Sequence, residues 1–458
     1  MTSVPGAPSE PGDDRPTPTP VRATDAGRPT TRLPNLELVR ISLYWLGLSS
    51  IFAGLSAIIA GRLEFTDLVD RSDAGRALFF ISISGVVIAI IVQPTIGSIS
   101  DYTISRWGRR KPYIFIGSIL DVVFLIGIAS SDTLIMIAAF ITLLQFSSNF
   151  AQGPFQGYVP DLVPAAQVGT ASALVGLMQV LGVVAGFMIG GLATATHNYG
   201  LGLVALGVLE LVTMLSVVFR VREGPPPKSR EGRPWRAIAA EAWGTDILRE
   251  RSFLWLVASR LAILMGGATL TSFATFYLAR SMGLSESESG FVLIPLVGLV
   301  ALGTVASVVP AARISDRVGR KPVIWGSCAL GATGLAVVAS ATALPLAFVG
   351  AILYGISAGT FLAVDWALMT DIIPKASSGR YMGLSNVATA SAGVLALAIG
   401  GTLMDIVGGP GLDGSGPRAA LWMAVILMGI GAILLRPVDE RRREDFAVPV
   451  AVSAEPAA

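Results

Sequence analysis

Twelve runs of predominantly apolar residues, most near 20 residues long and separated by short polar stretches, decide what this chain can fold into. They fall at 38–60, 77–98, 113–130, 134–158, 168–193, 199–219, 254–278, 289–310, 323–340, 343–369, 380–404 and 419–436. Runs of this length cross a bilayer as helices and are too long for barrel strands, which need about 9–11 residues. In lipid, a segment must satisfy its own backbone N–H and C=O groups, so the pattern specifies an all-α membrane protein with twelve transmembrane helices. Charged residues make up only 14% of the 458, against roughly 25% in soluble domains. The net charge of +2 is too even to suggest a nucleic-acid partner, and none is expected. A single cysteine, Cys328, and a single histidine, His197, leave no material for a disulfide, a Cys- or His-based metal site or a Ser-His-Asp triad. No metal, no cofactor and no enzyme activity are expected.

The polar segments divide the chain. Residues 1–36 carry eight prolines and no apolar stretch of a signal peptide, and read as a disordered tail. Residues 437–458 read the same way. The segment 221–252 begins polar and proline-rich and separates six spans (37–220) from six more (253–436), with an amphipathic surface helix expected over Ala237 to Arg251. With both tails in the cytoplasm, 27 of the 33 Lys and Arg lie inside and five outside: Arg62, Arg71, Arg76, Arg280 and Arg418. That bias predicts both termini cytoplasmic.

The halves echo each other at one offset of 210 residues. Pro112 ends GRRKP and Pro322 ends GRKP; Asp161 and Pro164 match Asp371 and Pro374; Gly169 matches Gly379; Gly190-Gly191 matches Gly400-Gly401. Four matches at one offset indicate duplication, and two pseudo-symmetric six-helix bundles are a secondary-transporter architecture with a site near the midplane.

Two loops carry a signature. The first runs from Gly97 through Asp101, Arg106, Gly108, Arg109 and Arg110 to Lys111-Pro112; the second from Ala312 through Asp316, Gly319 and Arg320 to Lys321-Pro322. Both resemble the GxxxDxxGRR/K loop of the major facilitator superfamily, a resemblance covering roughly 38–436. It implies that these residues form latches biasing the inward- and outward-open states. Enforcing topology alone is the plainer reading of the same arginines. The longer first loop, with Gln93-Pro94, and Gln152-Gly153-Pro154 with Asp161-Leu162 resemble the glycoside–pentoside–hexuronide cation symporters, and among them the sucrose/proton branch. Gln156 replaces the basic residue that branch has after Pro154. At the sodium-site positions of the melibiose type, this chain has Ala89, Gln93 and Gln152. A hard cation wants charged oxygens, so the coupling ion expected is a proton.

Ionisable groups at membrane depth are costly and mark function by default. Asp365 is the first candidate proton carrier, with a static ion pair to Arg260 as the alternative. Asp161 is the second, with a structural role at a helix end as its alternative. Asp121 and Glu210 are expected in hydrogen-bonded packing. Gln145, Asn149, Gln152 and Gln156 recur at i, i+4, i+7 and i+11, one helix face. Their amides suit a neutral polyhydroxylated solute or interhelical bonding. Tyr44, Trp45, Tyr354 and Trp366 are candidate stacking rings. Gly355-Ile-Ser357-Ala-Gly359 matches GxSxG but lies inside an apolar helix, where it reads as packing, as does Gly186 with Gly190.

These readings converge on a monomeric, multi-pass plasma-membrane transporter that binds a small-molecule substrate. Proton-coupled symport of a sugar or glycoside by alternating access is expected. The alternatives are a proton-antiport exporter of amphipathic compounds and a non-transporting scaffold or receptor.

Overall fold

The computed structural model describes residues 31–223, 232, 234–236, 251–372, 378–409 and 412–439. Among them all regular structure is helical. Twelve long helices are α1 (Asn35–Phe65), α2 (Ala74–Ser100), α3 (Lys111–Ala129), α4 (Leu134–Gln156), α5 (Val168–Ala195), α6 (Tyr199–Arg220), α7 (Arg251–Phe276), α8 (Glu286–Val318), α9 (Arg320–Ser340), α10 (Leu344–Ile372), α11 (Ser378–Gly408) and α12 (Ser415–Leu434). Each is long and apolar enough to cross a membrane. Most of the tails, the surface helix expected over Ala237 to Arg251 and the side chains of Trp366 and Asp371 lie outside the described residues.

The duplicated motif has a structural meaning at each copy. Gly108 ends the first loop at φ 117° and Gly319 ends the second at φ 97°, backbone that only glycine adopts without strain. The next helix starts at Lys111 after the first and at Arg320 after the second. Pro112 sits in the first turn of α3, where its missing N–H would have no partner in any case. In the second copy Gly319 both ends α8 and begins α9, whereas in the first copy α2 ends at Ser100 and Gly108 lies in the loop just before α3.

Packing follows the same repeat. In the first half α1 lies along α5 and α6, α2 along α4, and α3 along α4 and α6. In the second half α7 lies along α11 and α12, α8 along α10, and α9 along α10 and α12. The halves meet along α2–α11 and α5–α8, pairings that exchange when the halves are exchanged. Gly191 and Gly401, 210 residues apart, do the same job at these seams. A Cβ on Gly191 would lie 2.7 Å from Gly290 O, and one on Gly401 would lie 2.7 Å from Gly75 O.

Large apolar side chains ring the outside, among them Phe80, Leu201, Phe219, Leu302 and Ile426. That is the surface expected where the solvent is hydrocarbon. Gly186 and Gly190 pack on α1, and Gly355 and Gly359 on α8. Ser357 donates to Ser327 O at 2.6 Å from a buried position, so the GxSxG match is a helix contact.

Candidate functional site

The halves are tied at the end remote from the described termini. Arg280, in the π-turn that continues α7, donates from Nε and Nη2 to Glu64 Oε2 on α1, at 2.8 and 2.6 Å. Asp405 on α11 accepts the N–H groups of Gly75 and Arg76 at the start of α2, at 3.0 and 2.9 Å, where the helix dipole favours an anion. Tyr199 Oη donates to Glu286 at 2.5 Å, and Ser287 Oγ to Ala195 O at 3.0 Å. Phe273, Phe276 and Met404 extend the apolar core of the first half into the second at this level. None of Glu64, Arg280, Glu286 or Asp405 was singled out as a site residue from the sequence.

At the opposite end lies the first signature loop. Arg110 Nη2 donates to Asp101 and to Asp161, each at 2.7 Å, and Arg109 also pairs with Asp161. Arg110 Nη1 donates to Pro154 O at 2.7 Å. Both arginines are buried. Glu223, just beyond α6, completes the cluster. It accepts the N–H groups of Arg109, Arg110 and Lys111 at 2.5, 3.1 and 2.7 Å, and the Tyr158 hydroxyl at 3.1 Å. Asp161 is thus the centre of an ion-pair network at a helix end. Arg106 is exposed and stands outside it. Gly97 lets α2 approach α4 at Gly153.

The second loop also pairs its arginine with its acid. Arg320 Nη1 donates to Asp316 and to Ser315 Oγ, each at 2.6 Å, one helical turn apart and with the Asp316 side chain 66% exposed. Among the described residues, the cluster of the first loop is buried and spans several elements, while Asp316 of the second loop is exposed.

At membrane depth the structure brings Arg260 of α7 and Asp365 of α10 into a buried ion pair. Arg260 also donates to Thr389 Oγ1 of α11, from Nη2 at 3.1 Å. Asp365 therefore sits with a counter-charge, the arrangement weighed against free proton carriage.

The amide stripe divides along α4. Asn149 is buried and donates to Gln145 O of its own helix at 2.7 Å. The Gln145 side chain lies over Gly85 of α2. Gln152 and Gln156 are half-buried, as is Gln93 on α2, and none has a side-chain hydrogen-bond partner among the described residues. Gly153 lets the backbone of α4 close on Gln93 O, which sets Gln93 next to the Gln152 turn.

The four rings fare unequally. Trp45 is half-buried against Phe155, ring centres 5.7 Å apart, beside the Gln152–Gln156 turn. Tyr44 corrects the expectation made for it. Its exposure is 0%, and its hydroxyl is bonded to Ser118 at 2.5 Å and Glu210 at 3.1 Å, so its ring has no face for a solute. Tyr354 packs its hydroxyl end against Gly267 of α7. The Trp366 side chain lies outside the described residues.

Comparison with known proteins places the chain. The family model of the Major Facilitator Superfamily matches residues 41–304 and 261–451. Sucrose transport protein SUT1 of Oryza sativa subsp. japonica is 30% identical over 178 residues, 32% of each chain. Proton-associated sugar transporter A of Homo sapiens is 27% identical over 169 residues, 31% of this chain and 23% of that one. The chain thus spans about a quarter to a third of the length of these relatives. Among solved structures, an inward-facing, occupied bacterial homolog of the human lysosomal transporter Spinster superposes with TM-score 0.70 at 14% identity, over 88% of this chain and 95% of the other. The nucleoside transporter NupG gives TM-score 0.66 at 14% identity, over 88% and 100%.

Proposed function

The chain belongs to the major facilitator superfamily, a family of multi-pass membrane transporters and not of enzymes, and from that premise we propose that it is a proton-coupled symporter of a small neutral polyol, a sugar or glycoside. The observation that carries this reading is the set of unpaired amides. Gln93, Gln152 and Gln156 lie half-buried between helices, each with a free donor and acceptor. Amides that the protein leaves without partners are open to a ligand, and hydroxyl groups of a solute would pair with both their donors and acceptors. Trp45 next to them offers a ring face. The similarity to a sucrose transport protein and to a proton-associated sugar transporter supports the same class.

Both termini are assigned to the cytoplasm of a plasma membrane, because the Lys and Arg clusters lie at that end. The ties at the far end then correspond to a state closed to the outside. Alternating access would break them and close the cytoplasmic side around the first latch. Asp365, held by Arg260, is the proposed proton site; a proton taken by Asp365 would release Arg260.

Purified protein in proteoliposomes tests this directly. Labelled mono- and disaccharides should accumulate under an imposed pH gradient and leak out when an ionophore collapses it. Gln152→Ala and Gln156→Ala should raise KM with little change in protein yield. Sugar uptake indifferent to the gradient, or export of an amphipathic dye with no sugar uptake at all, would overturn the assignment.

A further inference from the structure

Asp121 of α3 and Glu210 of α6 are neighbours inside the first bundle, both at 0% exposure, with Glu210 on the Tyr44–Ser118 hydroxyl pair one turn from Asp121 along α3. Their surroundings are unequal. Asp121 Oδ1 accepts from Ser147 Oγ, and Oδ2 accepts from Ser148 Oγ at 2.8 Å. Both of its oxygens therefore face donors on α4. Glu210 Oε1 accepts from the Tyr44 hydroxyl of α1 at 3.1 Å, and that hydroxyl is shared with Ser118 of α3. Glu210 Oε2 has no donor at all and is fully enclosed. Among the described residues, no lysine, arginine or histidine is bonded to either carboxyl group.

Two neighbouring carboxylates, dry and without a cation, cannot both be ionised. The orphaned atom shows where the proton goes. A hydrogen on Glu210 Oε2, donated to Asp121, removes the unsatisfied group and the repulsion in one step, and leaves Asp121 an acceptor from three donors. We propose that the first bundle holds a resident proton on Glu210 Oε2, shared with Asp121, at a proton-binding site separate from the Arg260–Asp365 pair. The site joins four helices, α1 through Tyr44, α3 through Asp121 and Ser118, α4 through Ser147 and Ser148, and α6 through Glu210. The serines lie on the same stretch of α4 as Gln145 and Asn149. The proposal needs no transport reaction, so it stands or falls apart from the substrate and coupling assigned above.

Infrared spectroscopy of the full-length protein in detergent at neutral pH tests it. A carbonyl stretch of an un-ionised carboxylic acid should be present, should exchange slowly in D₂O, and should shift when glutamate alone is ¹³C-labelled. It should vanish in Glu210→Gln, whose amide can still donate to Asp121, and persist in Asp365→Asn. The label experiment needs no variant, so a Glu210→Gln protein that fails to fold leaves the test intact. No such band in the wild type, a band that ignores glutamate labelling, or one lost in Asp365→Asn and kept in Glu210→Gln would overturn the proposal.

Discussion

Arg280 lies on Glu64 across the boundary between the two halves, with both side chains 4% exposed and two donors on one carboxylate oxygen. The guanidinium also stands over the Phe276 ring, 5.3 Å from its centre, and donates to Arg71 O. Removing one partner of a buried pair strands the other charge and costs about 3–5 kcal/mol, and here the cost falls on the sealed state. Glu64→Gln and Arg280→Met should each shift the protein toward the state open at this end. Electron–electron distances between spin labels at the exposed Asp70 and Asp413 should lengthen and broaden in both. The Glu64→Leu/Arg280→Met double variant should restore the short distance.

Glu223 should matter as much to stability as any residue of the recognised loop. Its carboxylate satisfies three consecutive N–H groups at the start of α3, whose first-turn donors have no other partner, and charged hydrogen bonds contribute about 1.5–3 kcal/mol each at most. Glu223→Ala should lower the thermal unfolding temperature in detergent more than Glu223→Gln. Tyr158→Phe, which removes one donor to the same carboxylate, should cost up to about 1.5–3 kcal/mol. Gly108→Ala and Gly319→Ala should both lower the unfolding temperature. Both add a Cβ at positive φ, at about 1–3 kcal/mol, and the Gly108 Cβ also meets the Glu223 carboxylate.

The twelve helices and their duplication were legible because each needs only local information: apolar length, and motif copies at a fixed offset. The ion pair of Arg260 with Asp365 was weighed from the sequence because membrane depth leaves few charges to choose from. Glu223 was not found. It stands at the start of what reads as a polar linker, more than 100 residues from the N–H groups it caps, and nothing local marks it. Glu64 and Arg280 were hidden in the same way, at helix ends where charges are ordinary. Tyr44 failed for another reason. α1 is buried on most of its circumference, so its sequence carries no polar face to show that Tyr44 turns into the bundle and Trp45, about 100° round the helix, turns away.

The paired seam glycines give a comparison within one protein. Alanine at Gly401 would press on the backbone of Gly75, and alanine at Gly191 on Gly290 O and Ile294. Backbone cannot swing aside as a side-chain tip can, so Gly401→Ala and Gly191→Ala should both widen the Asp70–Asp413 distance. Gly298→Ala on α8 meets nothing within 4 Å. It should leave the distance unchanged and raise stability slightly, since glycine is about 1 kcal/mol less favourable than alanine inside a helix.

Asp365 can be tested for coupling against a merely structural role because the two predict different transport modes. If Asp365 carries the proton, Asp365→Asn mimics its loaded form. Exchange of internal for external sugar requires no proton release and should persist within a few-fold, while accumulation driven by a pH gradient should be lost. If the pair only holds α7 to α10, Asp365→Asn strands the buried Arg260, and both modes should fall together with the unfolding temperature. Arg260→Met/Asp365→Asn, which leaves no lone charge, should then recover both. Counterflow and gradient-driven uptake measured on the same vesicles separate these outcomes, and the expected result is exchange without accumulation.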